Sequence, residues 1–169
     1  MSAPGPPPAV SPRCAVVGVV GRANSGKSTL VNRLVGEKVS IAGPVAQTTR
    51  TLIRGILTEP RGQLVFLDTP GLHKAEGRLG TLMNRMARQA AASVDAVLLV
   101  IDGAREPQIE DDGWMRRLAL SGQPLLILLN KADCTPFHEA VYRELWETVC
   151  REKGVAREAA WLTASAASR

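Results

Sequence analysis

The chain has 169 residues, enough for one domain with a real core, and its composition is that of a globular protein: 45% hydrophobic, 22% charged, and only 4% aromatic, so the core must be mainly aliphatic. Cys14, Cys134 and Cys150 are widely spaced with no CxxC pair, which argues against a disulfide framework or a zinc site, and no apolar run reaches the ~18 residues of a membrane span. A net charge of +5 and a pI near 9.6 permit contact with nucleic acid or an anionic membrane surface, but no run of basic residues concentrates that charge.

Residues 1–12 carry five prolines and no apolar run of the kind a signal peptide needs; they are expected to form a disordered or extended tail, with residues 13–169 as the folded domain. Cys14–Val20 (CAVVGVV) reads as a buried strand, Gly26–Glu37 as a helix, and Ser40–Arg50, which lacks periodicity, as a loop. Thr51–Glu59 and Gly62–Asp68 are two strands joined by Pro60-Arg61, a link so short that they must be antiparallel neighbours. A loop through Gly77 and Gly80 leads to a helix over Thr81–Ala92, then a strand at Asp95–Asp102, a helix at Ile109–Leu120 and a strand at Pro124–Asn130. An amphipathic helix is expected over Pro136–Gly154, with Val141, Leu145 and Val149 docking on the sheet, and a last strand over Ala159–Ser165. Strands separated by helices imply right-handed βαβ units: a six-stranded, mostly parallel sheet with one antiparallel strand and helices on both faces. In such folds a ligand sits beyond the carboxyl ends of the strands.

Four motifs fall at those ends. Gly21–Thr29 (GRANSGKST) matches GxxxxGKS between a strand and a helix, the setting in which curled backbone amides and a helix N-terminus hold phosphates. Its residues Gly21, Arg22, Ala23, Asn24, Ser25, Gly26, Lys27, Ser28 and Thr29 are therefore candidate phosphate contacts, with Lys27 reaching the β- and γ-phosphates and Ser28 holding Mg²⁺. In Asp68-Thr69-Pro70-Gly71, followed by Leu72, the carboxylate of Asp68 can hold Mg²⁺ and the Gly71 N–H can bond the γ-phosphate. Asn130-Lys131-Ala132-Asp133 places an aspartate that can accept from both N1–H and the 2-amino group of guanine; adenine offers no such pair of donors. Asn130 would hold the base-binding loops together, and the Lys131 stem would cover the ring. Ser165-Ala166-Ala167 suits backbone amides approaching the guanine O6.

These four motifs, with VSIAGPVAQTTRTLIRGI and DTPGLHK between them, resemble the Era family of translation-factor-related GTPases, over about Cys14–Ala167. The resemblance implies a P-loop GTPase domain whose ligands are GTP and GDP with Mg²⁺, and a slow GTP-hydrolysing switch acting in assembly of the small ribosomal subunit. One threonine of the Thr48-Thr49 pair is expected to close over Mg²⁺ and the γ-phosphate, Thr49 first and Thr48 second. Lys27, Thr49 and Gly71 are the expected catalytic groups. Leu72 stands where Ras-like enzymes carry a water-orienting glutamine and has no donor or acceptor, so hydrolysis must rest on Mg²⁺, Lys27 and backbone amides. The family pattern includes a hydrophobic residue there, and some relatives bind K⁺ through an asparagine at the position of Asn24. His73 is not expected to act as a base, nor Cys134 as a nucleophile.

Era proteins continue with a further helix and a KH domain that binds the 3′ end of 16S rRNA. Neither is legible in these residues: Gly77-Arg-Leu-Gly80 matches the GxxG clamp of KH domains only by chance. Part of one sheet face is accordingly expected to lie open, with lower stability or self-association. The remaining expectations are a cytoplasmic location with peripheral contact at the inner face of the cell membrane, and no DNA partner. A nucleotide-occupancy module without hydrolysis, and a tRNA-modifying GTPase of the same superclass, are the competing readings. QTTR in place of GTTR argues against the latter, and NKAD argues against a P-loop kinase.

Overall fold

The computed structural model describes residues 13–39, 53–69 and 77–167. β1 (Arg13–Val20), β2 (Ile53–Glu59), β3 (Gly62–Asp68), β4 (Ala96–Asp102), β5 (Leu125–Asn130) and β6 (Ala160–Thr163) form one sheet in the order β2-β3-β1-β4-β5-β6. Only β2 runs antiparallel, paired with β3 through Ile53 opposite Asp68 and Glu59 opposite Gly62; the other pairings are parallel. The fold is therefore the six-stranded mixed sheet with helices on both faces that the sequence implies.

Period-two alternation assigns side chains to the two faces. Val97, Leu99 and Ile101 of β4 with Ile127 and Leu129 of β5 face one side, where α2 (Gly77–Ala92), α3 (Ile109–Ala119) and α4 (Glu139–Lys153) lie. The buried anchors there are Trp114, Met115 and Leu118 of α3 and Tyr142, Trp146 and Val149 of α4. Each such side chain contributes about 1.5–3 kcal/mol on burial. Leu98, Val100 and Leu128 point the other way and pack with Val19, Phe66 and Ala166 under α1 (Lys27–Val35), whose Leu30 and Val31 complete that cluster. Leu162, opposite Leu128 in the register, stays 53% exposed at the margin of this face.

Several boundaries shift by one to four residues from the sequence reading, and three of the shifts have a visible cause. α2 begins at Gly77, where a loop was expected, because the strong helix formers beyond Gly80 and the burial of Ala87 and Ala91 outweigh about 1 kcal/mol of glycine cost per residue. α4 starts at Glu139 rather than Pro136, at the point where the His138 N–H bonds the Gly103 carbonyl (2.8 Å) and fixes the helix entry to the end of β4. β6 ends at Thr163, after which the Ala164 N–H still bonds Leu129 and its carbonyl turns to Ala132. Val141, expected on the docking face of α4, is exposed instead; the buried stripe is Tyr142, Trp146 and Val149 flanked by Leu145. No helix among the described residues is long and apolar enough to cross a membrane.

Candidate guanine nucleotide site

Because β1, β3, β4 and β5 are parallel, their carboxyl ends share one rim, and the motif residues gather there. β1 runs into the loop of residues 21–26, which opens α1. Gly21 (φ 144°) is buried, and a side-chain carbon there would collide with the Val100 carbonyl of β4. Asn24 takes a left-handed φ of 62° and is exposed, while Gly26 (φ 97°) caps α1 with its Cα against the Asn130 amide. These backbone angles curl the loop over the start of α1, the kind of geometry that offers amides to an anion.

Lys27 is buried, its Nζ donating to the Arg22 carbonyl at 2.8 Å. Burial lowers its pKa from the usual lysine range to about 8, opposed by the carboxylates of Asp68 and Asp111. Ser28 and Thr29 are half-buried in the first turn of the helix, Ala23 in the loop before it. Asp68 is fully buried at the end of β3. Next to it, Thr69 donates through Oγ1 to the Val19 carbonyl at 2.8 Å and locks β3 to β1. The buried carboxylate of Asp68 and the hydroxyl of Ser28 are oxygen donors of the kind a divalent cation takes.

On the other side of the rim, Asn130 is 2% exposed and joins three loops. Its Nδ2 donates to the Ser25 carbonyl (2.8 Å), and its Oδ1 accepts from the Ala166 N–H (2.8 Å). Ser25 is itself buried. The Ala132 N–H bonds Ala164, and Arg33 Nη1 bonds the Ala166 carbonyl at 3.2 Å, so the loop holding Ser165, Ala166 and Ala167 is tied to both α1 and the 130–133 turn. Asp133 is exposed, open to a ligand; the Ser165 hydroxyl, then its own backbone N–H, hold its carboxyl below the usual range. Lys131 adopts φ 67° and places Nζ 2.7 Å from Asp102 Oδ2.

The structure thus gathers Gly21 to Thr29, Asp68, Thr69, Asn130 to Asp133 and Ser165 to Ala167 at one rim. Thr48, Thr49, Pro70, Gly71, Leu72 and His73 lie outside the described residues. Two participants escaped the sequence reading. Asp102 closes the buried strand β4 and could have been found by the same end-of-strand rule that marked Asp68 and Asn130. The ion pair between Arg22 and Asp111 (3.5 Å) joins residues 89 positions apart (22 and 111), and no local pattern announces it.

Comparison with known proteins gives a consistent set of likenesses. The family model of 50S ribosome-binding GTPases matches residues 16–131. The GTPase Era of a Nostoc strain is 48% identical over 120 residues, which is 71% of this chain and 37% of that protein. A crystal structure of Era in complex with MgGDPNP and nucleotides 1506–1542 of 16S ribosomal RNA superimposes with a TM-score of 0.76 at 30% identity, covering 92% of this chain and 52% of the other. An Aquifex aeolicus Era variant bound to GDP and AlF4⁻ gives a TM-score of 0.73 at 29% identity, covering 90% and 51%. The chain spans about two fifths of the length of the curated relatives it matches.

Proposed function

Because this chain belongs to the 50S ribosome-binding GTPase family, and to its Era branch, we propose that it is a guanine-nucleotide switch that binds GTP and GDP and hydrolyses GTP to GDP and phosphate. The observation that carries this reading is the pair of Asn130 bonds, which ties the phosphate-binding loop at Ser25 to the base-binding loop at Ala166 and sets the two halves of one nucleotide site at a fixed spacing. Asp133 selects guanine, Ser165 to Ala167 approach its O6, and Lys131 covers the ring. Gly21 to Thr29 enclose the phosphates, and Lys27 offers the ammonium charge.

Ser28, Asp68 and Thr49 would hold Mg²⁺, which when bound would offset negative charge on the phosphates. Thr49 and Gly71 would order on the γ-phosphate, which makes their segments the switch. Asn24, exposed at the mouth of the loop, is proposed to hold K⁺ against the phosphates. For the whole protein we propose action on 16S rRNA in small-subunit assembly, through a KH domain lying outside these residues. The support is the relative solved with a 16S RNA segment. A cytoplasmic location with peripheral contact at the inner membrane face belongs to the same proposal.

Binding of GTP and ATP with Mg²⁺, and phosphate release with a Lys27→Ala control, test the core claim. Preference for GTP and slow release abolished by the substitution are expected. Equal affinity for ATP overturns the guanine assignment, and GTP binding without release leaves an occupancy module in place of an enzyme. Equal rates in potassium and sodium buffers would remove K⁺ from the account.

A further inference from the structure

Beneath the phosphate loop lies a buried polar cluster that the four motifs do not account for. Arg22, the second residue of the loop, is 15% exposed at its side chain, and its Nε lies 3.5 Å from Asp111 Oδ2. Asp111 is 1% exposed in the first turn of α3. The same Oδ2 accepts from the Gln108 N–H at 3.0 Å, closing the helix cap, and from the Tyr142 hydroxyl at 3.4 Å. Tyr142, wholly buried on α4, also lies 3.1 Å from the Arg105 carbonyl and 3.4 Å from that of Asp102. Asp102 in turn holds Lys131. A carboxylate this deeply buried carries a desolvation cost, which its hydrogen bonds from Gln108 and Tyr142 and the charge of Arg22 offset.

What it positions is visible in Arg22 itself. The side chain of Arg22 is drawn to Asp111 while its main-chain carbonyl receives the Lys27 ammonium at 2.8 Å. One residue thus contacts α3 through its side chain and Lys27 through its main chain, so the hold on Asp111 restricts the backbone that presents the carbonyl to Lys27. Nε of Arg22 is buried without a hydrogen bond, so its hold on Asp111 is charge attraction at a buried point rather than directional bonding. Such an attraction depends on Asp111 being fixed independently, which the Gln108 cap and the Tyr142 hydroxyl do.

We propose that Arg22, Asp111 and Tyr142 form a positioning brace that seats the phosphate loop on α3 and α4, so that Arg22 presents its carbonyl to Lys27 in the pose a nucleotide diphosphate requires. The brace deepens the proposed function and rests on its phosphate-loop assignment. None of the three side chains needs to touch substrate; their effect reaches the ligand through Lys27 and the loop amides.

The test compares GDP with GMP, competed against a fluorescent GDP analogue, in Asp111→Asn, Tyr142→Phe, Arg22→Met and the Arg22→Met/Asp111→Asn double variant. Tyr142→Phe removes one hydroxyl and keeps the ring in the core, so a folded variant is available whatever Asp111→Asn does. The expected result is a fall in the GDP-to-GMP affinity ratio, about tenfold for Asp111→Asn and about threefold for Tyr142→Phe, sizes typical of removing one polar interaction from a buried site. The double variant should fall no further than Arg22→Met alone, because the pair acts as one unit. A ratio unchanged in the folded Tyr142→Phe and Asp111→Asn proteins overturns the brace, as does a GMP affinity that falls in step with GDP. Loss of preference for GDP over ADP in the wild type, with the ratio still sensitive to the variants, would instead overturn the guanine assignment and leave the brace standing.

Discussion

Base selection at this rim would depend on one exposed carboxylate, whose ionised form the Ser165 hydroxyl favours. Asp133 is held below the ordinary carboxylate range first by the Ser165 hydroxyl and then by its own backbone N–H. A depressed pKa means that the stabilisation is present above the unfolded value and is lost only as pH falls through the lower, folded value. Two hydrogen bonds from guanine need both oxygens unprotonated. The preference of the wild type for GDP over inosine diphosphate, which lacks the 2-amino group, should therefore stay flat from pH 7 down to about 4, where an ordinary aspartate is half protonated. In Ser165→Ala the preference should fall away toward the acid end, and a competition titration at each pH reads it; comparing two diphosphates cancels phosphate titration. Gly21 makes a second residue-scale case. Its φ of 144° and the Val100 carbonyl facing its Cα leave no room for a methyl group, so Gly21→Ala should lower stability by about 2–4 kcal/mol in thermal melts.

Among the elements, α4 shows best what the sequence can and cannot specify. Val141, Leu145 and Val149 form an aliphatic stripe at helical spacing, yet Tyr142, Trp146 and Val149 are buried and Val141 is 44% exposed. The two stripes differ by about one residue, or 100° of helix rotation. Tyrosine and tryptophan bury more area than valine, and the buried Tyr142 hydroxyl finds partners at Arg105 and Asp111, so the aromatic stripe wins. Val149→Asp should accordingly cost about 3–5 kcal/mol, while Val141→Asp stays within about 0.5 kcal/mol. Chemical denaturation of the two variants distinguishes the stripes; equal losses would restore the sequence reading. The strands are far more legible. VLLVID and LLILLN are buried on both faces or nearly so, CAVVGVV and VFLD become buried toward the rim, and such apolar runs have few other solutions. The start of α2 is not legible, because glycine marks loops in sequence yet is tolerated where the rest of a helix docks firmly.

At the scale of the molecule, the rule that parallel sheets bind ligands at their carboxyl rim brings the motifs together from the order of strands and helices alone. It cannot supply the bonds that hold the loops in mutual register, because those join Asn130 to Ser25, 105 residues away, Asn130 to Ala166, 36 away, and Lys131 to Asp102, 29 away. No period or turn signal spans such distances. Of these, the Asn130 bonds carry the greatest consequence. Asn130→Ala strands the Ser25 carbonyl and the Ala166 N–H at a buried point, which should lower stability without nucleotide by about 2–4 kcal/mol. It should also weaken GDP binding by about a hundredfold, because the free loops must be ordered at the expense of binding energy. Asn130→Asp separates the two halves of that effect. An aspartate can still accept from Ala166 but has no N–H for Ser25, and it sets an anionic oxygen against a carbonyl. The base-side loop should keep its place while the phosphate loop is pushed away, so GDP should lose more affinity than GMP. If Asn130 merely filled space, both variants would weaken the two nucleotides in equal proportion, and titrations of GDP and GMP against each protein decide between the alternatives.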